Sequence, residues 1–241
     1  MDKTIIIITG ASGGIGEGLA REFAGAGARV LLGARRLDRI RRIAAEINAA
    51  GGIAEARALE VTDRAGMKAF VQVALDLWGG VDVMVNNAGI MPLSPMAALK
   101  EDEWDRMVEV NIKGVLWGIG AVLPAMKAQG HGHIVNIASI GALSVVPTAA
   151  VYCATKFAVR AISDGLRQES PDIRVTCVNP GVVESDLAST ITHAETMAMM
   201  DDYRAIALKP VDIARAVRHA IEAPAHVDTT EITIRPTASA N

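Results

Sequence analysis

Cysteine is almost missing from this 241-residue chain, with Cys153 and Cys177 the only two. Two cannot build a disulfide framework, and neither stands at a metal-ligand spacing, so a reducing, cytoplasmic setting is expected. An excess of basic charge is missing too. Against 27 Asp and Glu there are 24 Lys and Arg, for a formal net charge of −3, which leaves no electrostatic footprint for nucleic acid or an anionic membrane surface. The five histidines, His131, His133, His193, His219 and His226, show no metal-site spacing on a shared element and are expected at the surface, with no metal bound. Met1-Asp2-Lys3 lacks the basic and long apolar regions of an export signal. The longest uncharged stretch, Ile134 to Thr155, is interrupted by Asn136, Ser139, Gly141, Ser144, Pro147 and Thr148, which a spanning helix tolerates poorly. What is abundant is apolar side chain: 51% hydrophobic with 21% charged residues excludes a disordered chain and suits one domain with a sizeable core.

Four consecutive isoleucines lie within Lys3 to Thr9, and such β-branched runs suit a strand buried on both faces. Similar runs recur at Arg29 to Ala34, Ile53 to Val61, Val81 to Asn86, His133 to Ala138, Ile173 to Val178 and Glu231 to Arg235. Between them the apolar residues take helical spacing: Ile15, Leu19 and Phe23, then Ile40, Ile43 and Ile47, then Trp104, Met107, Val108 and Val115. Gly51-Gly52, Gly79-Gly80 and Gly130 to Gly132 sit where helices should end. The alternation predicts one α/β domain over 1–241, a doubly wound, seven-stranded parallel sheet with helices on both faces.

The first strand runs into Thr9-Gly10-Ala11-Ser12-Gly13-Gly14-Ile15-Gly16 and then a helix. Backbone without Cβ atoms, leading to a helix N-terminus, suits a pyrophosphate. At the end of the second strand, where an acid would bind a free ribose 2′-hydroxyl, the chain reads Gly33-Ala34-Arg35-Arg36. With no carboxylate there, Arg35, and secondarily Arg36, favours a 2′-phosphate and hence NADP over NAD. Asn86-Asn87-Ala88-Gly89 follows the fourth strand at the same sheet edge.

Scarcity sharpens the chemistry. The chain has two tyrosines, Tyr152 and Tyr203, and seven lysines, so about 2 × 7/241, or 0.06, Tyr-x-x-x-Lys pairs are expected by chance, yet Tyr152 and Lys156 form one. Residues at i and i+4 share a helix face, and an ammonium there favours a phenolate, making the tyrosine usable as an acid or base. Ser139, just past a strand and thirteen positions before Tyr152, carries a hydroxyl able to donate to a carbonyl oxygen. Asn111, among apolar neighbours, is either a satisfied interior amide or part of a proton path.

Together these residues resemble the short-chain dehydrogenase/reductase family over nearly the whole chain. The resemblance rests on Thr9 to Gly16, Asn86 to Gly89, the tetrad Asn111, Ser139, Tyr152 and Lys156, and Pro180-Gly181. It implies a Rossmann fold and hydride transfer from NADPH to a carbonyl carbon. In that scheme Tyr152 protonates the oxygen, Ser139 polarises it, Lys156 holds the nicotinamide ribose, and Asn111 holds a water leading from the lysine to solvent. The implied cofactor contacts are Gly10, Ser12, Gly14, Ile15, Gly16, Arg35, Arg36, Glu60, Val61, Asn87, Ala88, Gly89, Tyr152 and Lys156, with Pro180, Gly181, Val183 and Ser185 near the nicotinamide carboxamide. Arg35 resembles the NADP-preferring branch, and the ending Glu231 to Thr237 the subgroup of serine/3-hydroxy-acid dehydrogenases and clavulanic acid dehydrogenase.

The chain departs from the family pattern at Glu60, where relatives usually carry Asp, and at Gly13-Gly14, which offer no basic residue in the loop. The resemblance further implies a homotetramer or homodimer and a substrate lid at 186–208, containing Met197, Met199, Met200 and Tyr203. Met91 and Gly141 to Val146 would complete a mostly apolar pocket. The expected activity is NADPH-dependent reduction of a small or medium ketone or aldehyde, or the reverse oxidation of an alcohol. The alternatives are 3-oxoacyl-[acyl-carrier-protein] reduction, 3-hydroxy-acid oxidation, and an NADP-binding sensor without turnover.

Overall fold

A computed structural model describes residues 1–239, except for the side chains at 199 and 201–203. The strands β1 (Ile5–Thr9), β2 (Arg29–Ala34), β3 (Ile53–Ala58), β4 (Val83–Asn86), β5 (Gly132–Ile137), β6 (Ile173–Pro180) and β7 (Glu231–Ile234) form one sheet in the order β3-β2-β1-β4-β5-β6-β7. Every neighbouring pair is parallel. In β1 successive side chains point to opposite faces: Ile5 and Ile7 enter one core, Ile6 and Ile8 the other. Residues 6 to 8 are fully buried, each stabilising the fold by about 1.5–3 kcal/mol relative to exposure.

On one face lie α1 (Gly14–Gly25), α2 (Leu37–Ala49) and α8 (Pro210–Glu222). Leu19 and Phe23 of α1 join Ile40, Ile43 and Ile47 of α2 beneath the sheet. The other face is covered by α3 (Arg64–Trp78), by a long helix running from α4 (Glu101–Met107) into α5 (Gly114–Gln129), and by α6 (Ala150–Glu169). The segment 101–129 is long and apolar enough to cross a membrane by length and composition alone. Its Val115, Val122 and Met126, however, are buried in the core against the sheet. Helices α3 and α5 end in left-handed glycines, Gly79 and Gly130.

Several boundaries differ from the sequence reading. Strand β3 stops at Ala58 rather than Val61, because its partner β2 ends at Ala34 and only Leu59 N–H still reaches across, to Ala34 O. Strand β6 runs on to Pro180, because β7 pairs with Asn179 and Pro180. The junction of α4 and α5 is a π-helical turn, Val108–Lys113, which carries Asn111; such turns concentrate at functional positions. His133, expected at the surface, is buried at 1% exposure, because the inward-facing register of β5 carries it into the sheet.

Candidate functional site

Parallel strands end their chains on one edge, and this edge collects the residues singled out above. The strand order reverses between β1 and β4, and their diverging connections leave a crevice at their carboxyl ends. The glycine loop follows β1 and Asn87 to Gly89 follows β4, so the two motifs face each other across it. Thr9 fastens them: its Oγ1 accepts from Asn87 N at 3.0 Å and Ala88 N at 3.1 Å, and Asn87 Nδ2 donates to Thr9 O and Gly10 O. This contact leaves no room for side chains. A Cβ on Gly10, whose φ is +66°, would lie 2.8 Å from Ala88 Cα, and one on Gly16 would lie 2.4 Å from Gly10 O. Both collisions are with backbone, which does not yield. Asn86 is not part of the crevice. It turns into the sheet and donates to Asn136 Oδ1, and Asn136 in turn donates to Ser163 on α6.

Ser139 follows β5 and caps a short 3₁₀ turn, Ile140–Ala142. Its Oγ accepts from Gly141 N at 3.0 Å, so its own hydroxyl hydrogen can be donated elsewhere. Tyr152, in the first turn of α6, converges on the same spot. A Cβ on Gly141 would lie 3.4 Å from both Ser139 Oγ and Tyr152 Cε1. One turn on, Lys156 is buried, with its Nζ 5.8 Å from the Tyr152 ring centre and donating to Ile137 O at 2.9 Å. Burial pulls its ammonium down to about 8. Asn111 is a satisfied amide: Oδ1 accepts from Ile90 N, and Nδ2 donates to Ile90 O and Thr155 Oγ1. It fixes the backbone just after Gly89, and Gly89 lies between Asn111 and Lys156.

The turn that aims α6 is strained. Thr148 has a φ of +66°, a left-handed conformation that costs a β-branched residue about 1–2 kcal/mol, and its carbonyl accepts from Ser94 N. Thr148→Asn, which tolerates this conformation, is expected to raise Tm by about 2–4 °C in a domain of this size. An unchanged or lower Tm by calorimetry would show that Thr148 stores no strain.

At the ends of β2 and β3 the arginines divide between two partners. Arg35 is exposed and points along the edge to Glu60, Nη1 to Oε2 3.8 Å. Val61 is buried in the core. Arg36 instead folds over the glycine loop, its Nε and Nη2 on Ser12 Oγ at 3.2 and 3.0 Å. Arg39, in the first turn of α2, joins it. The cation that Gly13 does not carry is supplied through space, for a Cβ on Gly13 would lie 3.7 Å from Nη2 of each arginine.

At the end of β6, Pro180 pairs with Ile234 and Gly181 N donates to Ile234 O, and Val182 to Glu184 pair with Leu208. The segment between, expected as a lid, is thereby closed at its base. It holds a 3₁₀ turn, Asp186–Thr190, and the helix α7 (Ala194–Arg204). Ser185 packs on Gly14, Thr190 Oγ1 accepts from Met91 N, and Met197 and Met200 rest on the core. The side chains of Met199 and Tyr203 lie outside the described residues. Val145 and Val146 of the loop before α6 are exposed.

The family model for short chain dehydrogenase matches residues 4–196. The chain belongs to the short chain dehydrogenase family. The chain is 43% identical over 236 residues to an uncharacterised oxidoreductase of Staphylococcus saprophyticus, covering 96% of this chain and 95% of the relative. Among solved structures it resembles an alcohol dehydrogenase from the archaeon Thermococcus sibiricus in complex with 5-hydroxy-NADP, with TM-score 0.88, 32% identity, and 99% and 98% of the two chains covered. It also resembles the closed form of serine dehydrogenase with NADP+, with TM-score 0.89, 30% identity, and 96% and 94% covered. The chain is therefore an oxidoreductase of this family.

Proposed function

We propose that the chain is an NADPH-dependent carbonyl reductase, interconverting a small or medium ketone or aldehyde and its alcohol. The observation that carries this reading is the convergence of Tyr152 and Ser139 on Gly141, with Lys156 one turn away, at the sheet edge that also bears the glycine loop. The residues present fit a dinucleotide. The Gly10–Gly16 cradle excludes side chains, the N-terminus of α1 favours anions, and Arg36 and Arg39 lie over Gly13. The relatives solved with NADP and with 5-hydroxy-NADP support the choice of cofactor.

When bound, reduced nicotinamide supplies the hydride to the carbonyl carbon. Ser139 donates its free hydroxyl hydrogen to the carbonyl oxygen and positions it. Tyr152 transfers its proton to that oxygen, and the Lys156 ammonium stabilises the phenolate left behind. NADPH oxidation with a panel of ketones, aldehydes and 3-oxo acids tests the reading, since a sensor would bind NADPH without turning any of them over.

The arginine geometry shifts the expected seat of phosphate recognition from Arg35 to Arg36. Arg36→Gln is expected to lower kcat/KM with NADPH roughly 10- to 100-fold, the worth of a charge-assisted hydrogen bond, and to leave NADH kinetics nearly unchanged. An NADPH-to-NADH ratio equal to wild type would place phosphate recognition elsewhere.

A further inference from the structure

We propose that Asp186 gates the 2′-phosphate site: its carboxylate holds the guanidiniums of Arg36 and Arg39, and a 2′-phosphate competes for them and loosens the segment 186–204. The proposal rests on the NADP reading above and adds a regulation to it.

Asp186 Oδ2 accepts from Arg36 Nη1 and from Arg39 Nη1, both at 2.9 Å. Both arginines meanwhile overhang Gly13, and Arg36 reaches Ser12 with its remaining donors. The carboxylate therefore occupies donors at the place where the loop and strand β2 offer positive charge. Arg35 does not share the load, because it is directed to Glu60. Two guanidiniums against one carboxylate leave one positive charge, whereas a phosphate monoester brings a charge of about −1.5 to −2. Phosphate and Asp186 together exceed what the pair neutralises, so like charges meet within a few ångströms and one must leave.

Asp186 is the movable one because of where it sits. It opens the 3₁₀ turn directly after Ser185 with its side chain 54% exposed, and Ser185 O accepts from Arg204 Nη2 at 2.8 Å, so a shift of Asp186 is felt at Arg204. The arginines, by contrast, belong to the start of α2, whose Ile40, Ile43 and Ile47 are packed in the core. The two cations also hold the Asp186 carboxyl below its ordinary value, through hydrogen bonds from Arg36 first and then Arg39, so it stays an anion near neutrality. Coupling of this kind is reciprocal: the bridge weakens phosphate binding by the factor by which phosphate weakens the bridge. All three side chains are more than a third exposed, and screening holds the factor to a few-fold.

The test uses adenosine 2′,5′-bisphosphate, with 5′-AMP as the probe lacking the 2′-phosphate. Affinities come from calorimetry at low and high salt, and the segment's freedom from trypsin cleavage after Arg204. Asp186→Asn is expected to bind the bisphosphate about three- to tenfold more tightly than wild type at low salt, with no gain for 5′-AMP and a smaller gain at high salt. In wild type the bisphosphate, but not 5′-AMP, should speed cleavage at Arg204. In Asp186→Asn cleavage should be fast with or without ligand, and in Arg39→Gln, which keeps the Arg36–Asp186 bridge, it should be intermediate without ligand. Equal bisphosphate affinity in wild type and Asp186→Asn, or cleavage that the bisphosphate leaves unchanged in wild type, overturns the gate while the NADP reading stands. Turnover with NADH alone and no bisphosphate binding by any variant overturns both.

Discussion

Tyr152→Phe is expected to lose reduction by about 10²–10⁴-fold in kcat, with NADPH affinity changed less than about twofold. Phenylalanine keeps the ring, which is buried at the start of α6, and removes only the hydroxyl that hands over the proton, so fold and cradle should survive. Activity and NADPH fluorescence titration separate the two effects, and undiminished turnover would reject the acid assignment. Lys156 adds a pH signature. Because burial brings its ammonium down to about 8, the charged form dominates below that pH and is lost above it. The kcat/KM for reduction should therefore fall as pH rises through about 8. A profile level to pH 10 would exclude Lys156 as the cationic partner of Tyr152.

The second large effect concerns stability. His133 Nε2 lies 2.8 Å from Thr176 Oγ1, whose own hydrogen goes to Thr229 O; the imidazole must therefore donate from Nε2. Its Nδ1 is buried and has no partner among the described residues. Burial, with the Arg174 charge in second place, holds the group neutral down to about 3. The folded value lies below the free one near 6.5, so this histidine's contribution to stability is complete above pH 6.5. It is lost as pH falls toward 3, reaching at most about 5 kcal/mol. Urea unfolding of wild type and His133→Gln across pH 7 to 4 checks this: the variant should lose less stability on acidification. Parallel curves would show that His133 is not the acid-sensitive group.

The strand and helix rhythm was legible because a fully buried parallel strand demands a continuous β-branched run, as in Ile5 to Ile8, while a helix over a sheet demands apolar residues every three or four positions. The ends of elements were less so. Whether β3 runs past Ala58 or β6 past Val178 depends on how far the neighbouring strand extends, and that neighbour is distant in sequence. The π-helical turn at Asn111 was hidden for a related reason, since its amide is satisfied by Ile90 and Thr155, two partners from separate parts of the chain.

The same division runs through the site. Sequence by itself determined which residue types stand at the carboxyl edge, since glycine spacing and the Tyr152–Lys156 interval are local properties of one turn or one helix. Only the tertiary structure decided that Arg36 and Arg39, rather than Arg35, overhang the glycine loop, that Asp186 binds them from 147 residues beyond Arg39, and that His133 is sealed within the sheet. Long flexible side chains choose partners by distance in space, and burial depends on everything packed around a residue. Neither quantity is written in its neighbours along the chain.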